Sequence, residues 1–129
     1  MEASGLDEAS RCAFVLVAGG MGERLGYSGA KPTLPSDTVS MKSFLDLYIS
    51  SILSYQRETP LPLAIMVSVN TEDPIRNALK ANNNFGMADG QITLLRQEAV
   101  ACLDALPSRL AVDPDGVSRL QFRLHARNV

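Results

Sequence analysis

The sequence predicts an α/β fold: a parallel sheet with helices packed on both of its faces. Three observations lead there. Residues 13–18, AFVLVA, form an unbroken apolar run closed by glycines, the composition of a strand covered on both sides. Further along, short apolar runs alternate with stretches of helical spacing, in the order strand, helix, strand, helix, strand, the pattern of parallel strands joined by crossover helices. A glycine-rich segment follows the first run, which places it at the carboxyl end of the sheet, where such folds bind ligands.

Taken in order, residues 1–12 read as a flexible, acidic leader ahead of the first strand. Residues 19–35 form a long loop with Gly20, Gly22, Gly26 and Gly29, then Pro32 and Pro35. Loops of this length inside a domain are uncommon unless they have a function. Ser40 is the expected cap of a helix reaching about Gln56, with Phe44, Leu45, Tyr48, Ile49, Ile52 and Leu53 on one face and Asp46 on the other. After the stop at Pro60 comes a second strand over residues 61–69, in which Pro62 fits only near the start. Met66 there reads as core. The segment Asn70-Thr71-Glu72-Asp73-Pro74 opens a second helix through Ile75, Ala78 and Leu79, which ends in residues 81–86. Residues 91–96 form the third strand, and residues 119–123 are candidates for one more.

Composition narrows the function. The chain has 129 residues, one domain's worth or less, and a net charge of −2. That balance argues against a broad nucleic-acid surface, which needs clustered Lys and Arg. It does not oppose a phosphate ligand, for which a few local cations suffice. Two cysteines, Cys12 and Cys102, are too few for a disulfide scaffold, make no zinc motif, and read as small buried groups in a reducing compartment. No apolar stretch is long enough to span a bilayer, and the amino terminus lacks the basic region of a signal peptide. The expectation is a soluble, cytoplasmic protein with no membrane partner. Asp104, Asp113 and Asp115 lie in turn-like contexts, and no metal ligands are identified.

The chemistry concentrates in the glycine loop. Gly19, Gly20 and Gly22 let the backbone turn sharply and approach a ligand closely, and successive N–H groups then form an anion-binding hollow. Arg24 offers bidentate hydrogen bonds to phosphate oxygens, and Lys31 a mobile point charge. Together they suit a triphosphate whose charge must be neutralised as it reacts. A Walker A loop needs G-K-[ST], which is absent, and the dinucleotide fingerprint needs a glycine where Leu25 stands. The competing reading is a plain connection between strand and helix, with Arg24 and Lys31 as solvated charges.

The segment AGGMGERLGYSGAK, residues 18–31, resembles the signature of the UDP-sugar pyrophosphorylases within the UTP-using uridylyltransferases. The resemblance continues in LPLAIMVS and in QITLLRQEAVACLD. It implies a Rossmann-like nucleotidyltransferase fold, present in part over residues 13–121, with residues 122–129 as a non-matching tail. It implies a reaction in which a sugar 1-phosphate oxygen attacks the α-phosphorus of UTP, giving UDP-sugar and pyrophosphate, with Mg²⁺ whose ligands lie beyond the end of this chain. By the same resemblance Gly19, Gly20 and Gly22 line the nucleotide, Arg24 and Lys31 act on the phosphates as catalytic groups, and Gln97 contacts the uracil ring. An amide suits that task, offering a donor and an acceptor together. Without the resemblance Gln97 reads as a surface glutamine after a strand.

Departures from the family pattern are Met21, the proline at position 32, which biases Lys31 toward extended backbone, and the ending after Gln121. There FRLHARNV replaces a family segment resembling K-P-H-G-H-G-D, and Arg123, His125 and Arg127 read either as a small phosphate patch or as an unstructured basic tail. A fragment lacking sugar and metal ligands is expected to be inactive alone. The alternative is a non-catalytic remnant that binds a nucleotide or a partner chain. An adenylyl- or guanylyl-type relative is a third reading, against which RQEAV favours uridine.

Overall fold

The computed structural model describes residues 2–101 and 120–127, with side chains for residues 4–98. Three strands, β1 (Phe14–Val17), β2 (Leu63–Val67) and β3 (Ile92–Ala101), run parallel, and β4 (Leu120–Arg127) lies antiparallel beside β3. The sheet order is β1-β2-β3-β4. Helix α2 (Phe44–Tyr55) connects β1 to β2, and α3 (Glu72–Ala81) connects β2 to β3.

β2 lies between two parallel neighbours, in register Leu16↔Ile65 with β1 and Ile65↔Leu94 with β3. Side chains alternate across a sheet, so Leu63, Ile65 and Val67 share a face with Phe14, Leu16, Ile92 and Leu94. That face receives Leu45, Ile49 and Ile52 from α2 and Ile75 and Leu79 from α3, in one continuous core. Both helices fall on the same side because right-handed crossovers between strands in consecutive order place them there. Among the described residues helices therefore cover one face of the sheet, not the two expected. On the other, Val15 is 70% and Val17 64% exposed, while Met66 is buried as expected.

A polar knot closes the core at the end opposite the glycine loop. The Gln91 amide nitrogen donates to Gln56 Oε1 (2.7 Å) and to the Leu61 carbonyl (2.8 Å), and its oxygen accepts from the Ala88 amide (3.0 Å). One side chain thus joins the end of α2 to the starts of β2 and β3, and its buried groups are satisfied. Nearby, Asn83, Asn84 and Phe85 all take positive φ (49°, 52° and 52°), a left-handed turn that lets Phe85 fold back onto the core. Asparagine tolerates this backbone; phenylalanine does so only because packing holds it there.

Several expectations change. Where a flexible leader is expected, residues Glu2–Ala9 form helix α1. Asp7 pairs with Arg57 just past α2 (2.8 Å), which ties α1 to the body. Cys12 is exposed rather than buried. Ser40 does not cap α2. The Asp37 carboxylate accepts the amides of Val39 and Ser40 (2.8 and 2.7 Å) and the Ser40 hydroxyl, which commits Ser40 to a tight turn, and Met41 at φ 55° then breaks the chain direction. Those donors also hold the Asp37 carboxyl below its ordinary pKa, the Ser40 hydroxyl most of all. The cap is Ser43, whose hydroxyl accepts from the Asp46 amide (3.2 Å). The strand suspected near residues 119–123 is β4, which extends to Arg127 through the stretch expected to be a loose tail. Cys102, Asp104, Asp113 and Asp115 lie outside the described residues.

Glu72, at the first turn of α3, joins that helix to β3. Its carboxylate accepts from Arg76 (2.9 Å) and from the Arg96 side chain (2.6 Å from Nε). Glu72 is 15% exposed, while the arginines are 60% and 54% exposed. These hydrogen bonds, Arg76 first and Arg96 second, hold the Glu72 carboxyl below its ordinary pKa.

Two predictions follow from these contacts. Ser43→Ala should destabilise the fold by about 1 kcal/mol through loss of the cap, seen as a lower melting temperature, whereas Ser40→Ala should cost clearly less. The folded Glu72 carboxyl binds its proton less readily than the unfolded one, so its ion pairs contribute above the ordinary carboxylate range, and that contribution is lost as pH falls through the lowered value. In thermal melts Glu72→Gln should therefore lower stability by less than about 1 kcal/mol at about pH 7, and the effect should shrink toward zero as pH falls through the lowered value, the arginines being well solvated.

Candidate functional site

The parallel register brings the carboxyl ends of β1, β2 and β3 to one edge of the sheet, and the loop of residues 19–35 starts there. Ala18 continues β1 far enough to donate to the Met66 carbonyl of β2 (2.7 Å), and the chain leaves the sheet at Gly19. Gln97 lies within β3, one residue past the last pair with β2, Val67↔Arg96. Its side chain is buried, with 8% exposed, and lies directly on the Gly19 backbone. A Cβ on Gly19 would come within 2.7 Å of Gln97 Cδ and 2.9 Å of its Oε1, closer than real Cβ atoms come to any neighbour. A side chain at position 19 would thus displace the end of the Gln97 side chain that crosses it. The structure brings together two residues that the sequence separates by two crossover connections. Among the described residues the Gln97 amide has no hydrogen-bond partner.

Beyond Gly20 the loop closes on itself as a miniature antiparallel pair. Met21 bridges Ala30, the Gly22 amide donates to the Gly29 carbonyl (2.9 Å), and the Lys31 amide donates to the Gly20 carbonyl (3.1 Å). A short 3-10 turn (Glu23–Leu25) rounds the tip, with Gly26 at φ 69° ending it. The amide of Gly22 therefore points into the loop. The amides of Gly19, Gly20 and Met21 have no partner among the described residues, and these are the donors an anion would meet.

Lys31 opens a second 3-10 turn (Lys31–Thr33) rather than the extended backbone that Pro32 favours. The Thr33 amide donates to the Ala30 carbonyl and the Leu34 amide to the Lys31 carbonyl, while Pro32 occupies a position that needs no N–H. Ala30 and Pro32 are buried and anchor this turn. The Lys31 side chain lies back along Gly20: its Cδ, Cε and Nζ would each stand 3.8 Å from a Cβ built there. Arg24 lies exposed on the loop tip. Neither cation has an ion-pair partner among the described residues. A groove of about 290 Å³ beside Lys31 is lined by Leu16, Val17, Leu25, Phe44 and Tyr48, so the polar cradle borders apolar surface.

Sequence reasoning missed Tyr27. Its ring occupies the space where Gly22 and Gly29 lack a side chain. A Cβ on Gly22 would stand 2.8 Å from Tyr27 Cδ1, and one on Gly29 2.6 Å from Cε1. The usable signal was the spacing of two loop glycines around one aromatic residue.

The described residues contain no group of three His, Cys, Asp or Glu side chains placed to hold a metal ion, and no helix long and apolar enough to cross a membrane.

Comparison with known proteins agrees with this geometry. The UDP-sugar pyrophosphorylase of Oryza sativa subsp. indica is 43% identical over 97% of the chain, and that of Arabidopsis thaliana 44% identical over the same share. The chain spans 22% of the length of these curated relatives. The UDP-N-acetylglucosamine pyrophosphorylase of Trypanosoma brucei, solved with an inhibitor, superposes over 93% of the chain and 26% of its own with a TM-score of 0.74, at 23% identity. A UDP-glucose pyrophosphorylase from Leishmania major, solved as a mutant, superposes over 84% of the chain and 23% of its own with a TM-score of 0.62. These structures share the fold. Residues 2–108 match the model of the UTP--glucose-1-phosphate uridylyltransferase family, and the chain belongs to that family.

Proposed function

We propose that this chain is the nucleotide-binding opening of a UDP-sugar pyrophosphorylase. The whole enzyme joins UTP and a sugar 1-phosphate into UDP-sugar and pyrophosphate: a phosphate oxygen of the sugar attacks the α-phosphorus of UTP, and the β,γ-pyrophosphate departs. The contact of Gln97 with Gly19 carries this reading, because it sets a base-reading amide against the start of a phosphate loop. The Gln97 amide offers its oxygen and nitrogen to the uracil edge. Gly19 and Gly20 supply backbone donors close to the phosphates. Lys31, lying over Gly20, and Arg24, on the loop tip, neutralise the charge that builds on the leaving pyrophosphate.

Magnesium belongs to this proposal through the family resemblance alone. The described residues present no ligand set for it, and none of the roles above is routed through a metal. The same reading places the protein in the cytoplasm, where an exposed, unpaired Cys12 stays reduced.

The test is titration of the purified chain with UTP, ATP and CTP, followed by the thermal melt and by calorimetry. UTP at a hundredfold excess over Kd should raise stability by about 2.7 kcal/mol. Arg24→Ala should weaken UTP about tenfold to a hundredfold, as expected for a charge-assisted hydrogen bond. Gln97→Ala should reduce the preference for UTP over CTP. A chain indifferent to all three nucleotides would sink the proposal and leave the alternative of a remnant that binds a partner chain.

A further inference from the structure

We propose that Tyr27 is a positioning residue that acts through Lys31, holding the lysine in register over Gly20 for the nucleotide's phosphates; this rests on the nucleotide-binding reading above. Tyr27 reaches across the loop to the turn that carries Lys31. Its hydroxyl lies 3.1 Å from the Thr33 carbonyl and 3.0 Å from Thr33 Oγ1. The tyrosine's single proton is donated to the Thr33 carbonyl or shared between it and Thr33 Oγ1, whose own proton goes to the Ala30 carbonyl (2.8 Å). Ala30 and Thr33 flank the Lys31-Pro32 pair, and Ala30 is completely buried. The Tyr27 hydroxyl is therefore fastened to Thr33 at one end of the short turn on which Lys31 rides, and through the Thr33 hydroxyl it is linked to Ala30 at the other.

The other end of Tyr27 is equally constrained. Its amide donates to the Gly22 carbonyl (3.2 Å), and its ring fills the space above Gly22 and Gly29, the two glycines paired through the Gly22 amide. The ring fixes the miniature antiparallel pair, and the hydroxyl fixes the turn that follows it. A lysine on a four-carbon stem is a poor positioner of its own charge, since ordering it costs up to about 2 kcal/mol of rotamer freedom. A backbone held at Ala30, Lys31 and Thr33 removes the first part of that uncertainty, and the path of the Lys31 stem along Gly20 removes more. No other described side chain makes a hydrogen bond to this turn from outside it.

The experiment uses the full chain, comparing wild type, Tyr27→Phe, Lys31→Ala and the double variant. Phenylalanine keeps the ring over Gly22 and Gly29 and removes only the hydroxyl. Two readouts are taken: affinity for UTP and for uridine by calorimetry, and amide hydrogen exchange at Gly22, Lys31 and Thr33 by NMR. Tyr27→Phe should weaken UTP about threefold to tenfold, the range expected for one hydrogen bond, and leave uridine unchanged. In the Lys31→Ala background the same change should have no further effect on UTP, which a merely structural tyrosine would not show. Exchange at Lys31 and Thr33 should quicken in Tyr27→Phe while Gly22 stays protected by the retained ring. Unchanged exchange at Lys31 and Thr33 would overturn the proposal whatever the nucleotide does, as would a loss of UTP affinity equally large without Lys31. If wild type binds no nucleotide yet exchange at Lys31 and Thr33 quickens, the hold on Lys31 stands and only the nucleotide reading fails.

Discussion

The parallel pairing of β2 with both β1 and β3 is the constraint on which the rest depends. It aligns Leu16, Ile65 and Leu94 in one row, which gives α2 and α3 a common apolar face, and it brings the carboxyl end of β1 level with Leu95 in β3. Only then does Gln97 arrive at Gly19. Among the described residues the β2 strand is accordingly well buried: Leu63, Ile65, Met66 and Val67 are each 4% exposed or less. Burying each such side chain contributes about 1.5–3 kcal/mol, so the site is built on the strongest part of the core.

Above that frame, the glycine loop holds itself together by means that do not draw on a ligand. Its amides at Gly22 and Lys31 pair within the loop, its buried Ala30 and Pro32 press into the body, and the Tyr27 ring replaces the side chains that Gly22 and Gly29 lack. The glycines thus divide the work. Gly22 and Gly29 are small so that the loop can close around its own tyrosine, and Gly19 is small so that Gln97 can cross it. Gly20 is open, with only the Lys31 stem alongside. A loop organised in advance loses little entropy when an anion arrives, which is the advantage of fixed donors over flexible ones.

Much of this architecture is legible in the sequence because it rests on periodicity. The apolar runs locate β1, β2 and β3, the spacing of Ile49, Ile52 and Leu45 locates α2, and Pro74 marks the start of α3. What escapes is decided by contacts that spacing does not encode. Ser40 and Ser43 are equally good caps by type, and only the competing carboxylate of Asp37 assigns the cap to Ser43. The run through Val15 and Val17 reads as covered on both faces, yet the described elements cover one. α1 has too few apolar residues to announce itself, and an ion pair between Asp7 and the distant Arg57 holds it. In the loop, the glycines stand out at once, but which neighbour requires each one is visible only when Tyr27 and Gln97 are in place.

The two halves of the cradle differ in kind, and that difference bears on how a nucleotide would be read. Gln97 is buried, lies against Gly19, and is carried on a strand paired there with β4, just past its pairing with β2. Arg24 and Lys31 are exposed, where a charge interacts through water and is screened by salt. On the proposed reading, selection of the base would fall to the rigid part of the site. Attraction of phosphates would fall to the solvated part, where the gain per charge is smaller and depends on ionic strength. Of the two cations, Lys31 is the one whose backbone is tied to the rigid part, through Gly20 on one side and the buried Ala30 on the other. The loop is thus a graded structure, from a fixed end at Gly19 against Gln97 to a solvated tip at Arg24, with Lys31 at the junction between the core-held backbone and the solvated charge.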